Sequence, residues 1–491
     1  MAYFYLHLAV ITTIGTLSVR LLLGSHQGHH LFTLSLGWGL GAGISSILGL
    51  LSLLLAHDWS RWLLLVEALI LVILTLFWLQ ATKGDGTSPT DHRIHGRSKW
   101  YHLLVGITGL LLILTVLLFV LITMAKPHGR WDSWMIWNLR ARFLFRSTDQ
   151  WSTILNPLII HADYPLLIPL NVAMAWVMAS RETVLAPAAI ALLFTFAPAG
   201  LLAGYFQNRN MPARGLVAAI CLMGTPFFLY IGADQVADTP LSLYFLATIV
   251  LLLLSDQIAG QNRCYLLLAG LMAALAGWTK NEGLLFIPVV LFCRLLVPGQ
   301  DLRNYFRTMK WFVVGLLPVM AVILYFKLGL APANDLWASR SPSEIIAKLT
   351  DPHRYLQVAR AYATVLYGFS YWPTVSLNVL LLAYALVCGF HWNRLTGELR
   401  WLFLLLLLML AGYFGVFILT PHDLAWHLHT AQERLFVQLY PAGLLLYFLL
   451  LPAPRQGSPQ PASGPGSRNS GTPERSALTT LPGKAATHEP D

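Results

Sequence analysis

Residues Leu103–Ala125 carry no charged side chain. As a helix rising 1.5 Å per residue, such a run crosses the roughly 30 Å hydrocarbon core of a bilayer. Leu241–Ser255, Trp311–Phe326 and Trp401–Leu419 are similar runs. Lipid offers no partner for a backbone N–H or C=O, so segments of this kind must satisfy their own hydrogen bonds as helices. About fourteen apolar blocks recur along the chain. They lie near residues 3–24, 31–56, 62–81, 103–125, 166–182, 184–205, 215–231, 241–255, 264–279, 284–297, 311–327, 361–390, 401–420 and 436–451. The expected fold is an all-α polytopic membrane protein with about 12–14 transmembrane helices and interfacial helices in the first long outer loop.

Only 11% of residues are charged, against roughly 25% in a soluble globular protein, so the chain cannot cover a water-facing surface. The formal charge of +10 sits in short loops between blocks, which points to cytoplasmic loops rather than to nucleic acid. Those loops carry Lys83, Arg93, Arg97 and Lys99; Arg209 and Arg214; Arg303, Arg307 and Lys310; and Arg394 and Arg400. The opposite face then receives residues 126–165, 234–240, 280–283, 329–362 and 421–441. Two blocks between residues 165 and 207 leave this sidedness one crossing out of step, so one block is partial or re-entrant, or one loop is on the other side. Cys221, Cys264, Cys293 and Cys388 lack CxxC spacing and read as small core residues. The first apolar stretch has no basic leader and reads as a retained span. The chain divides into N-terminal spans (1–102), a main membrane domain (103–451) and a Pro/Gly/Ser-rich tail (452–491) expected to be disordered.

Polar residues that are unusual for connectors gather on the outer face. In the loop after Ala125, a helical projection aligns Trp134, Trp137, Ala141, Leu144 and Phe145 as an apolar stripe, with Asn138, Arg142 and Arg146 on another side. This suits an interfacial helix whose arginines meet phosphates. Asp132 opens that helix, either as a cap or as a base or metal-orienting acid. Asp163 precedes Tyr164-Pro165, a pattern that also serves turns. Asp234 and Asp238 lie four residues apart and repel on one helical face unless a cation or lysine intervenes. Lys280 and Glu282 join two blocks with almost no loop, either as snorkelling side chains or facing a cavity. His427 and Arg434, two turns apart, can present one face to a phosphate. The spacing of His422, His427 and His429 fits no helical ligand pair, so no residue set is assigned to a metal. The one cofactor left open is a divalent cation. Arg20, Glu67 and Arg294 read as single, structural charges. No phosphate loop or dinucleotide fingerprint is present, so an activated donor must arrive ready-made.

Five motifs, in order, resemble bacterial membrane glycosyltransferases of the GT-C superfamily, relatives of the protein O-mannosyltransferases and lipid A aminoarabinose transferases. They are Trp131-Asp132-Ser-Trp134 with Trp137-Asn138-Leu-Arg140-Ala-Arg142; His161-Ala-Asp163-Tyr164-Pro165; Gln235-Val-Ala-Asp238-Thr-Pro240; Thr279-Lys280-Asn281-Glu282-Gly283; and Trp426-His427-Leu with Arg434-Leu. The likeness spans roughly residues 100–450. Unlike many relatives, this chain carries three apolar blocks before the span that leads into the acidic loop. The resemblance implies hexosyl or pentosyl transfer, with inversion, from a polyprenyl-phosphate-linked sugar. The acceptor is a glycan, lipid or protein at the periplasmic face of the bacterial inner membrane. It implies Asp132 and Asp238 as catalytic acids. Lys280 and Arg434 follow as groups holding the donor phosphate, with Glu282, His427, Asp163, Arg142 and Trp134 as further substrate contacts. A flippase or transporter of lipid-linked glycans is the alternative, as is a polymerase or ligase that uses the 329–362 loop with Asp335, Arg340 and Arg354. Clustering of polar groups at one face, without a two-half repeat around the midplane, favours the transferase.

Overall fold

A computed structural model describes residues 1–24, 29–56, 59, 62–84, 99–147, 149–257, 262–299, 301–334, 341–369 and 376–452. Arg93 and Arg97 of the first basic loop, Asp335 and Arg340, and the tail from residue 453 lie outside the described residues. Within the described residues the chain is helical throughout and contains no strand, an all-α polytopic membrane protein.

Nine described helices are long and apolar enough to cross a membrane, or ten if the bent pair Pro212–Met223 and Pro226–Ala233 is one span. This is fewer than the number of apolar blocks, because several blocks fold into shorter pieces. Block 166–182 becomes Leu167–Ala179, a 13-residue helix. At 1.5 Å per residue it reaches only ~20 Å, too short for the hydrocarbon core. Block 166–182 is thus partial, one of the alternatives that the sidedness left open, and Leu185–Asn208 is long and apolar enough to span. Block 215–231 breaks at Gly224-Thr225 with a 64° bend, where Pro226 starts the second helix and cannot continue the first. Block 361–390 contributes to two helices, Pro352–Gly368 and Leu377–Cys388.

The centre is the helix Asp238–Ser255, every residue of which is buried. Around it pack Leu185–Asn208, Asn262–Thr279 and Leu424–Leu450, while His30–Ala56 lies against Leu185–Asn208 and Ala2–Leu23. Trp62–Gly84 and Lys99–Ala125 sit at the periphery and leave apolar side chains such as Leu65, Leu69, Leu110 and Ile113 uncovered. In lipid this is the ordinary outward face of a span. Helices here gain little from hydrophobic exclusion, so contact depends on close fit and small residues. One tight case is Asn262–Thr279 against Leu302–Tyr325. A Cβ on Gly270 would stand 1.9 Å from the Phe312 carbonyl oxygen, and one on Gly315 2.0 Å from that of Leu267.

Charges that look solitary in the sequence have partners across helices. Glu67 accepts from Ser45 at 3.4 Å and lies 2.9 Å from His7 Nδ1, both members of the His–Glu pair being buried. Arg294 makes a two-pronged bond to Asp256 at 2.6 and 2.8 Å, and Arg20 lies 3.2 Å from His30 Nδ1. Cys293 is buried but Cys388 is exposed, so only part of the cysteine set is core. At one end of the bundle Arg214 reaches the carbonyls of Phe448 and Pro452, and Arg394 that of Leu449. Two of the basic loops therefore meet at the C-terminal end of the last span, opposite the end that bears Arg434.

The glycine contact predicts a clear result. Gly315→Leu should lower the thermal midpoint in detergent markedly, because overpacking against backbone costs about 1–3 kcal/mol or more. Gly106→Leu, where an added Cβ meets nothing within 4 Å, should leave the midpoint unchanged.

Candidate active site

Four separate stretches meet at the other end of the bundle. Asp238 opens the central helix, where a carboxylate is favoured by free N–H groups and by the positive end of the helix dipole. It is completely buried, and both oxygens are engaged. Oδ1 accepts from Lys280 Nζ at 3.0 Å and from Gln438 Nε2 at 2.6 Å, while Oδ2 accepts from Arg434 at 3.0–3.1 Å. Arg434 then extends its other arm to Asp132. One guanidinium thus bridges two carboxylates, using the fork that Arg has and Lys lacks.

Lys280 stands between the Asn262–Thr279 and Asn281–Leu295 helices with extended backbone, and its ammonium also meets Glu282 at 2.8 Å. Burial alone would lower the Lys280 pKa. The facing carboxylates of Asp238 and Glu282 outweigh it, raise the pKa and hold the ammonium charged. Gln438 closes the ring: its amide nitrogen also reaches Glu282 at 3.3 Å, and its oxygen accepts from Tyr413 at 2.7 Å.

Asp132 makes no capping hydrogen bond to the turn it opens; its carboxylate goes to Arg434 instead. It remains partly exposed, at 26%, where Asp238 is at 0%. The turn that follows, Ser133–Trp137, is a π-helix before the α-helix Asn138–Arg146. Its i→i+5 bonds insert an extra residue into the periodicity, which breaks the projected stripe. Trp137, Ala141 and Leu144 are buried as expected, but Trp134 turns outward and Asn138 turns in. Asn138 donates to Gln235 Oε1 at 2.9 Å, and Gln235 donates to the Pro127 carbonyl at 3.1 Å. These two bonds hold Gln235 in a left-handed conformation, φ 59°, which costs a non-glycine residue about 1–2 kcal/mol. Gly129, φ 70°, is needed for another reason: a Cβ there would lie 2.4 Å from both the Asp234 carbonyl oxygen and Ser133 Oγ. The acidic loop and the Asp238 turn are thereby locked together.

Asp163 does not join this cluster but heads a second one. Its Oδ2 accepts from Asn281 at 2.7 Å, Asn334 at 2.8 Å and Lys327 at 3.2 Å. Burial opposes the charge on Asp163, yet the Asn334 bond, Lys327 and the Asn281 bond together hold its carboxyl below the usual range. Next to it, Tyr164 stacks on His161 at 4.5 Å and on Trp137 at 5.7 Å. Arg140, fully buried, donates to the Tyr164 carbonyl at 2.9 Å, and burial pushes its pKa down to about 10. His427 lies 2.7 Å from Thr420 Oγ1. Arg142 approaches Glu182 at 3.5 Å and lines a groove with Trp134. Thus Asp132, Asp238, Lys280, Glu282 and Arg434 come together, whereas Asp163, His427, Arg142 and Trp134 do not join their network. Gln438, Tyr413 and Lys327 have no place in the sequence reading, and Arg140 stands there only inside a motif. The signal for Gln438 was a glutamine one turn after Arg434 inside an apolar span.

Among the described residues no group of three His, Cys, Asp or Glu side chains is placed to hold a metal, and Arg434 lies between Asp132 and Asp238.

Asp234 offers a pH test. It is buried with Oδ1 unpartnered and Oδ2 3.6 Å from Arg130. Burial raises its pKa to about 7, against the opposing pull of Arg130 and Lys126. The folded protein therefore binds a proton that the unfolded chain has lost, and stability falls as pH rises from about 4 to about 7. Asp234→Asn should show a higher thermal midpoint than wild type at pH 8.5, with the two converging at pH 5. A constant difference across that range would contradict it.

The family model described as dolichyl-phosphate-mannose-protein mannosyltransferase matches residues 165–326. The matched segment contains Asp238, Lys280 and Glu282, while Asp132 and Arg434 lie outside it. No curated protein and no solved structure matches the chain. Over residues 165–326, about a third of the chain, the protein is therefore similar to that mannosyltransferase family, within an all-α polytopic membrane architecture.

Proposed function

We propose that the protein transfers a sugar from a polyprenyl-phosphate donor to an acceptor at the periplasmic face of the bacterial inner membrane. The observation that carries this is the Asp132–Arg434–Asp238–Lys280 chain at helix ends opposite Arg214 and Arg394. It provides cations for a departing phosphate and a partly exposed carboxylate for an incoming hydroxyl.

The chemistry follows from those placements. The acceptor oxygen attacks the anomeric carbon as the bond from that carbon to the phosphate oxygen breaks. The proton of the acceptor hydroxyl passes to Asp132, and the polyprenyl phosphate leaves with the bonding electrons, inverting the anomeric centre. Lys280 and Arg434 meet the charge that develops on the leaving phosphate. Asp238, saturated and inaccessible, is a positioning residue: it fixes both cations and compensates their burial. A donor phosphate competes with Asp132 for Arg434, so donor binding frees the Asp132 carboxylate to act as base. Glu282 holds the far side of Lys280.

Asp132→Asn should lower transfer by about 10²–10⁴ at normal membrane abundance. The readout is mass spectrometry of glycan and lipid-linked sugar products in a deletion strain complemented with wild type or variant. Full restoration by Asp132→Asn would move the flippase reading ahead. Arg434→Lys keeps the charge but cannot bridge two carboxylates. It should reduce transfer at least tenfold, with donor KM raised.

A further inference from the structure

A groove of about 350 Å³ lies beside the acidic loop, lined by Lys126, Pro127, His128, Gly129, Trp134 and Arg142. Two of these six residues, Lys126 and Arg142, are cationic, and none is acidic. Lys126 donates to the Tyr230 hydroxyl at 3.2 Å, and the carboxylate whose charge it offsets is the buried Asp234, which it shares with Arg130. Arg142 shares the single carboxylate of Glu182 with Arg146, which holds it in two-pronged fashion. Arg130, at the rim, lies over the Tyr230 ring at 4.6 Å and approaches Asp234 Oδ2 at 3.6 Å. The exposed face of Trp134 supplies an apolar wall suited to a sugar ring or an acyl chain.

The groove is built from residues on either side of the proposed base in the chain. Gly129 lies three residues before Asp132 and Trp134 two after it, and Gly129 is pinned against Asp234 and Ser133 by a contact that admits no side chain. The cations assigned to the donor phosphate, Lys280 and Arg434, are not among its lining residues. Its volume is at the small end for ligand sites, enough for one head group and not for a folded polypeptide segment.

We infer that this groove holds the acceptor, and that the acceptor carries a phosphate group next to the hydroxyl that is glycosylated. Lys126 and Arg142 would bind the phosphate, Arg142 turning part of its fork from Glu182 to the ligand. This inference rests on the transferase reading given above, but its test is a binding measurement and does not require turnover.

The experiment uses the full-length protein in nanodiscs and calorimetric titration with dihexanoyl phosphatidic acid, dihexanoyl phosphatidylcholine and inorganic phosphate. Farnesyl phosphate serves as a probe of the donor site. Phosphatidic acid should bind, and phosphatidylcholine should bind at least tenfold more weakly. Lys126→Gln/Arg142→Gln should weaken phosphatidic acid about tenfold or more and leave farnesyl phosphate unaffected. The exposed single change Lys126→Glu should act in the same direction if the double variant proves unstable. Competition by inorganic phosphate at equal concentration would identify a free phosphate as sufficient, and its absence a lipid head group; both support a phosphate site. Equal binding of phosphatidylcholine, or unchanged binding of phosphatidic acid by the groove variants, would overturn the proposal. Loss of the catalytic reading would appear separately, as full transfer by Asp132→Asn with groove binding intact.

Discussion

Burial of the Asp238 carboxylate at the start of the central helix constrains everything at this end of the bundle. An unpaired carboxylate there would cost several kcal/mol, so the fold must deliver cations and donors to both of its oxygens. Lys280 comes from a two-helix hairpin, and Arg434 and Gln438 come from the last span, one helical turn apart. Because those groups are short of alternatives in a low-dielectric setting, the helix ends that carry them are fixed in register relative to one another. Asp132 enters the same arrangement only through Arg434, and so keeps the exposure that a proton acceptor requires.

A second set of bonds fixes the loop that carries Asp132. The π turn directs Asn138 inward to Gln235, Gln235 reaches back to Pro127, and Gly129 permits the closest backbone approach. Asp163, held by Lys327, Asn281 and Asn334, ties the end of the loop to the residue next to Lys280. The two clusters therefore share the Lys280-Asn281 step, and displacement of one is felt by the other. This gives the outer loop a rigid support although it lies between spans, a property needed wherever small errors in position reduce rate steeply.

The electrostatic design separates two tasks. Cations that face the proposed leaving group are paired deep in the protein, whereas Lys126, Arg130 and Arg142 lie at an open groove with weaker compensation. Paired buried charges are preorganised and need little rearrangement on reaction; loosely compensated charges at a surface remain free to take a ligand. Glu182, serving two arginines, sets how much of that free charge is available.

The sequence alone determined the helical membrane architecture, because long uncharged apolar runs have no other way to satisfy their backbone in lipid. It also determined which short polar motifs stand at helix ends, and the order Asp132, Asp238, Lys280, Glu282, Arg434 was legible on that basis. Tertiary structure decided which of those motifs meet. Arg434 lies 302 residues from Asp132 along the chain and 196 from Asp238, and no local periodicity encodes such a pairing. It likewise decided that Glu67 has His7 as a partner, that the π turn rotates Trp134 outward, and that Lys327 serves Asp163. In each case the sequence records the charge or the ring, but its partner depends on how helices far apart in the chain pack together. That packing is set by side-chain fit over the whole bundle rather than by any single segment.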